Sequence, residues 1–456
     1  MIKCVNECKY YNYMKTRYYI LLALIMFALA GYSQDNSDST LKLSDAIYIA
    51  MQNNYDIKIA KNNVRIAENN AAIINSGYLP SLVAGAGGNY SNNNTDQTYA
   101  STEGEQKVSQ DGAVSKSYNG SLGINYRLFD GMYRHYNYQK LQADYNLVEL
   151  QARAIIENVL IQLIRSYYDV ARLTSKIENI NRTLVISNTR YNYVKDQFFY
   201  GVATELDLLN SEVDRNNDSV NYIVAFNELS TIQNNLNVLL GRNMVQDFVV
   251  DTTVTFSLKI NKPELMASAL SRNVDYMSSL QSKDISGIQV KQSKSGYYPY
   301  IDINGKYALS QTNNDVGNLL YSHTTGFSTG VSLNWNIFDG GRTRTQVLNS
   351  KISMENANQL TAQSKIELER KISDAYNKYN NSLFVLRVES KNKQTNEINF
   401  SRSIDQYQLG QISSLDFRKA QVDLEGSING YNEALYSAKI AEMELLKLAG
   451  LFLDEL

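Results

Sequence analysis

The chain has 456 residues, a formal net charge of −2, 34 tyrosines, three prolines, two cysteines and two histidines. With no basic excess it offers no field to gather nucleic acid. His135, just past a strand, and His323, in a polar loop, stand apart from one another and from any cysteine, so a metal site or a catalytic triad has little to build on, and neither catalysis nor a cofactor is expected.

At the N-terminus, Lys15 and Arg17 precede the apolar run Ile20 to Ala30, and Gly31-Tyr32-Ser33 supplies small residues before Gln34. This is the pattern of a signal peptide over residues 1–33. A run of about 11 residues is too short to cross the ~30 Å of a bilayer core as a helix, although a retained anchor is the alternative. Met14 is a second candidate start. Cleavage would remove Cys4 and Cys8, leaving no disulfide and no thiol. It would also strip Lys3, Lys9, Lys15 and Arg17 against Glu7 and take the formal charge from −2 to −5.

From Leu43 the chain carries one order of motifs twice. Asn54-Tyr55-Asp56 and Ser76-Gly77-Tyr78-Leu79-Pro80 recur 219 residues later as Asn273-Val274-Asp275 and Ser295-Gly296-Tyr297-Tyr298-Pro299. After a polar loop ten residues shorter in the second copy, the offset becomes 209. It then joins Phe129-Asp130-Gly131 to Phe338-Asp339-Gly340, Gly201 to Gly410, Leu206-Asp207 to Leu415-Asp416, Val213-Asp214 to Val422-Asp423, and Gly241 to Gly450. Duplication of one long unit follows: a first repeat over 34–241, an equatorial linker over 242–261 and a second repeat over 262–456. Neither copy has the strands or the apolar surface to stand alone, so the two are expected to interleave.

Each repeat is expected to hold two strands, about 80–90 and 118–129 in the first and about 299–310 and 326–338 in the second. Tyr118, Leu122, Ile124, Tyr126 and Leu128 alternate with Asn119, Ser121, Asn125 and Arg127, and Phe327, Val331, Leu333, Trp335 and Ile337 alternate with Ser328, Ser332, Asn334 and Asn336. The period and length are those of barrel strands in a membrane. A soluble sheet on a helix shows the same alternation. Export, polar loops over 91–117 and 311–324, and Tyr126 and Trp335 at the height of an interfacial girdle favour the membrane. In lipid, unpaired edge groups cost several kcal/mol each, so four strands per chain require several chains around one wall.

Long helices follow over about 132–200 and 341–409, each on the order of 100 Å at 1.5 Å per residue. Ile156, Leu160, Leu163, Tyr167, Val170, Thr174 and Ile177 recur at steps of three and four, as do Ile372, Tyr376, Tyr379, Leu383 and Leu386. This is a coiled-coil seam, which an ordinary helical bundle would share. Each long helix stops at a glycine, Gly201 or Gly410, and Thr204 or Ser413 is placed to cap hairpin helices over 204–241 and 413–450.

The leader, the doubled helix-strand-strand-helix unit, Phe-Asp-Gly after the second strand and the tip pattern Gly-x-x-Ser/Thr-x-Leu-Asp together resemble the TolC-like outer-membrane efflux protein family, from Leu43 to Gly450. The resemblance implies a mainly α chain with membrane β: a long coiled-coil α-barrel, and four strands per chain of a 12-stranded trimeric β-barrel. It implies a homotrimer in outer-membrane lipid of a Gram-negative cell, serving as the exit duct of a tripartite efflux or type I secretion system. Cargo would come from an inner-membrane pump through a periplasmic adaptor that meets the tips at Gly201, Thr204, Gly410 and Ser413.

Carried over by position, Asp416 would line the pore constriction, and Lys419 stands where some members carry a second acid. Tyr407 and Asp207 occupy the places of a gate-locking hydrogen-bonded pair, so Tyr407→Phe with Asp207→Ala would be expected to raise single-channel conductance. An exported coiled-coil structural or adhesive protein is the alternative, which leaves the alternating strands unexplained. A porin would be strands throughout.

Overall fold

The computed structural model describes residues 40–102, 104–243, 248–256 and 261–455. The expected leader, with Cys4 and Cys8, lies outside them. In chain order the first repeat gives α1 (Leu43–Asn53), α2 (Tyr55–Ala71), β1 (Ser81–Ser101), β2 (Gly104–Phe129), α3 (Tyr133–Phe199) and α4 (Glu205–Leu240). The second gives α5 (Lys262–Arg272), α6 (Val274–Ser293), β3 (Tyr300–Asn314), β4 (Tyr321–Asn334), α7 (Arg342–Gln408) and α8 (Ser414–Leu448).

The duplicated motifs are the joints of this architecture. Asn54 breaks α1 from α2: its Oδ1 accepts from the Asp56 and Ile57 amides at 2.9 and 3.1 Å, while its Nδ2 donates to the Leu239 carbonyl at 2.9 Å. Asn273 does the same between α5 and α6, accepting from the Tyr276 amide and donating to the Leu448 carbonyl, each at 3.0 Å. Each asparagine thus caps one helix and clips the end of another. The closing glycines complete the joint. Gly241 turns at φ +66° with a would-be Cβ 2.7 Å from the Asn53 carbonyl oxygen, and Gly450 turns at φ +72° with one 2.5 Å from Arg272 Cβ. Only glycine fits that backbone at that distance.

The aspartate of each Phe-Asp-Gly starts a long helix. Asp130 accepts from the Arg134 amide at 3.1 Å and its Nε at 2.8 Å, and Asp339 accepts from the Thr343 amide at 2.9 Å and its hydroxyl at 2.5 Å. Both helices then run 67 residues. The centre of the protomer is α3, which packs against α2, α4, α6 and α8. Leu160, Leu163, Tyr167 and Val170 of the expected seam are fully buried there. In the equatorial core the Tyr167 hydroxyl donates to the Leu41 carbonyl at 2.7 Å and accepts from the Asp251 amide at 3.1 Å. Leu41 also bridges Val250 in parallel, tying the described part of the inter-repeat linker to the start of the first repeat.

The four strands form one antiparallel sheet in the order β1-β2-β3-β4. Its register lines up Leu82, Ala84, Leu122, Ile124, Tyr126, Ile301, Ile303, Tyr307, Phe327, Val331 and Leu333 on one face. Most of these side chains are exposed. The opposite face carries Asn125, Arg127, Asp302, Asn304 and Ser328, with Arg127 Nε 2.8 Å from Asp302 Oδ1. The outer edges of β1 and β4 have no partner strand within the sheet.

The strands correct the sequence expectation at their ends. Residues 91–117, expected as a polar loop, are strand almost throughout, with pairing from Ser81↔Asn125 up to Ser101↔Gly104 and one register shift at Asn93. Likewise His323 is not in a loop but in β4, opposite Gln311. Ladder bonds are made by the backbone, so polar side chains do not end a strand that has left the apolar layer. At the other end β4 stops at Asn334, before Trp335, because the last rung is Tyr300↔Asn334 and Pro299 has no N–H to donate to another. Trp335 instead donates its indole N–H to the Tyr297 carbonyl at 3.2 Å. No helix among the described residues is long and apolar enough to cross a membrane.

Candidate functional site at the hairpin tips

Both helical hairpins turn by the same device. Gly201 and Gly410 are left-handed at φ +74° and +69°. The Val202 and Gln411 amides reach back to the Gln197 and Gln406 carbonyls at 2.8 Å each, the Schellman pattern. A capping box follows in each copy. The Thr204 hydroxyl accepts from the Asp207 amide at 3.2 Å while the Asp207 carboxylate takes the Thr204 amide and hydroxyl at 3.1 and 2.6 Å. Ser413 and Asp416 repeat the exchange at 3.1, 3.4 and 2.6 Å. The cap hydroxyl's hydrogen bond holds both carboxyls below the ordinary aspartate range. Lys419 lies one turn along α8 and is exposed.

Tyr407 and Asp207 do not form a hydrogen-bonded pair in this structure. The carboxylate of Asp207 is taken up by its own helix cap. The Tyr407 ring stacks on Phe417 at 4.7 Å and 17° and meets Tyr193 edge-on at 5.8 Å. Its hydroxyl is enclosed, within the field of Ser414, Arg190 and Asp207 but in hydrogen-bond geometry with none of them. Burial, above all, raises its pKa. These rings, with Phe400, Ile186 and Ile404, line a cavity of about 430 Å³ between α3 and α7.

Polar groups join the two hairpins beside this aromatic cluster. Arg418 on α8 sends Nη1 and Nη2 to the two oxygens of Asp218 on α4, each at 2.8 Å. Asp218 also accepts from the Ser187 hydroxyl on α3. Arg190 on α3 pairs with Asp214 and donates to the Ser414 carbonyl at 3.3 Å. Gln421 donates to the Thr183 carbonyl at 3.0 Å. Sequence reading missed this cluster because it breaks the repeat: Leu209 and Ser427 stand at the positions equivalent to Arg418 and Asp218. A charge in one copy opposite an apolar or small residue in the other is the signal that would have found it.

A family model described as outer membrane efflux protein matches residues 46–242 and again 265–451, once per repeat. The chain belongs to that family. Over 408 residues, 90% of this chain and 85% of the relative, it is 22% identical to outer membrane efflux protein BepC of Brucella suis. Its fold is that of solved channels. It overlays the Campylobacter jejuni CmeC outer membrane channel at TM-score 0.75, with 15% identity and coverage of 90% and 86% of the two chains. It overlays the open state of the Neisseria gonorrhoeae MtrE outer membrane channel at 0.72, with 17% identity and coverage of 90% and 89%. The protein is an outer-membrane efflux channel, in a family of channels and not of enzymes.

Proposed function

We propose that three copies of this chain close into a twelve-stranded barrel and a twelve-helix tunnel, which serves as the exit duct of a tripartite efflux or type I secretion system. The observation that carries this is the sheet: it is apolar on one face and bears two unpaired edges, which no lipid environment tolerates. The helices support it, since Leu348, Ile352, Leu360 and Ile366 on α7 and Val220, Ile223 and Phe226 on α4 lie exposed on the single protomer. Neighbouring copies would cover both sets, consistent with the size at which a barrel leaves a duct.

In this assembly the tips at Gly201, Thr204, Gly410 and Ser413 meet a periplasmic adaptor that passes cargo on from an inner-membrane pump. Asp416 and Lys419 line the narrow mouth, where their opposite charges offset one another. Tyr126, on the apolar face near the base of β2, and Trp335, just past β4, sit in the interfacial belt. The expected product is a heat-modifiable trimer extracted only by detergent, conducting ions in planar bilayers. A monodisperse, water-soluble single subunit would overturn the proposal. A photoreactive residue in place of Gln411, followed by mass spectrometry of what it captures in cells, tests the adaptor contact: capture of outer-membrane proteins alone would refute it.

A further inference from the structure

The polar face of the sheet is almost free of charge. Where all four strands lie side by side, that face is mostly Ser, Asn, Gly and Thr, and its charged side chains are Arg127, Asp302 and Lys306. The first two cancel. Arg127 Nε lies 2.8 Å from Asp302 Oδ1, and its guanidinium covers the Tyr300 ring at 4.6 Å.

Lys306 is left over. Its cross-strand neighbours are Gly123 on β2 and Ser328 on β4, and Asn304 and Ala308 flank it along β3. None of these carries charge, and Gly123 has no side chain to cover the lysine stem. Asp302 is four residues away, about 13 Å of strand, and is taken by Arg127. The lysine is accordingly exposed. On the other face Tyr307 lies between Leu122 and Phe327, within the apolar run from Ile301 to Leu309. Lys306 therefore stands behind the middle of the apolar band, not at its rim.

The repeats do not share this residue, since Gly87 stands at the equivalent position. A closed trimer would carry three such lysines at one level, related by its symmetry axis. A low-dielectric wall confines their field to the water inside, so the charge acts more strongly there than on an open surface.

Building on the duct function proposed above, we propose that Lys306 sets the charge preference of the barrel, and that the preference is for anions. Cargo bearing a carboxylate, phosphate or sulfate is concentrated in the membrane-spanning half of the duct, and small cations are thinned there. The Arg127–Asp302 pair takes no part, because its charges offset one another.

The test reads the field beside the lysine itself and so does not depend on the hairpin tips. Full-length trimers carrying Ser328→Cys are placed in planar bilayers. An anionic sulfonatoethyl or a cationic trimethylammonioethyl methanethiosulfonate is added at the barrel mouth, and the change in current times the reaction. Replacing Lys306 with Gln should lower the ratio of anionic to cationic rates by roughly fivefold at 0.1 M salt. At 1 M salt, where the screening length is about 3 Å, the difference should fade. Lys306→Arg keeps the charge and should keep the ratio.

Equal ratios with Lys306 and with Lys306→Gln would overturn the charge preference while leaving the duct intact. So would a ratio lowered as far by Lys306→Arg. Conducting trimers in which neither reagent reaches Cys at position 328 would show that the polar face does not line the passage, which also overturns it. A wild-type trimer that passes no current would instead overturn the duct function on which the proposal rests. If Ser328→Cys fails to assemble, Ser121→Cys, on the same face of β2 two residues from Gly123, takes its place.

Discussion

Removing the Tyr407 hydroxyl separates what this chain's geometry implies from what its family resemblance implies. That oxygen is enclosed and makes no hydrogen bond, and a buried polar group left unpaired costs about 1–3 kcal/mol. Phenylalanine keeps the stack on Phe417 and the edge contact with Tyr193. Tyr407→Phe is therefore expected to stabilise the tip by about 1 kcal/mol, the lower end of that range because the field of Ser414 and Arg190 partly compensates the hydroxyl. One kcal/mol is about a fivefold change in a local opening equilibrium, so amide exchange from α7 and α8 around residues 400–420 should slow by about that factor. Conductance of the trimer should stay at the wild-type level, against the increase expected if Tyr407 locked the gate to Asp207. Faster exchange together with higher conductance would show that the hydroxyl does hold the tip, and the packing argument would fall.

Tyr167→Phe should act in the opposite sense, because its hydroxyl serves the Leu41 carbonyl and the Asp251 amide inside the equatorial core. A loss of about 2 kcal/mol is expected from the groups it strands, read as a lower midpoint of denaturation in detergent, whereas an unchanged midpoint would refute it. Gly450→Ala would drive a Cβ to 2.5 Å from Arg272 Cβ, while at Gly410 a Cβ meets nothing within 4 Å. Both substitutions bear the left-handed strain of about 1 kcal/mol, but only Gly450→Ala should block assembly of heat-modifiable trimers. Equal yields of the two would count against the close approach.

The tip caps carry a defined pH dependence. The Asp207 and Asp416 carboxyls are held below the ordinary value of 3.8, so their contribution is complete above that value and is lost as pH falls through the depressed one. The difference in melting midpoint between wild type and Thr204→Ala with Ser413→Ala should be constant from about pH 8 to pH 5 and shrink below about pH 3.8. A difference that disappears already near neutrality would contradict the capping geometry.

Much of this architecture is legible in the residues because it rests on local rules repeated twice. Proline before the first strand of each repeat, alternation along the strands, aspartate at the strand-to-helix junction, and the pattern glycine, hydroxyl, aspartate at each tip all act within a few residues, and the structure shows the backbone bonds behind the junctions and tips. Asn54 and Asn273 were visible as repeated motifs, yet their second bond reaches a carbonyl 185 and 175 residues away, which no local pattern encodes.

What tertiary structure alone decided is where the charged groups of three helices converge. Arg418, Asp218, Ser187 and Arg190 come from α8, α4 and α3 and have no motif in common, and their partnership depends on the angle and register at which two 67-residue helices bring their hairpins together. The same packing turned Tyr407 into an aromatic stack and left Asp207 to its own helix cap. Side-chain spacing along a helix is set by the backbone, but the partner across a seam is set by how the whole length of the coil is wound, and that is a property of every contact above it.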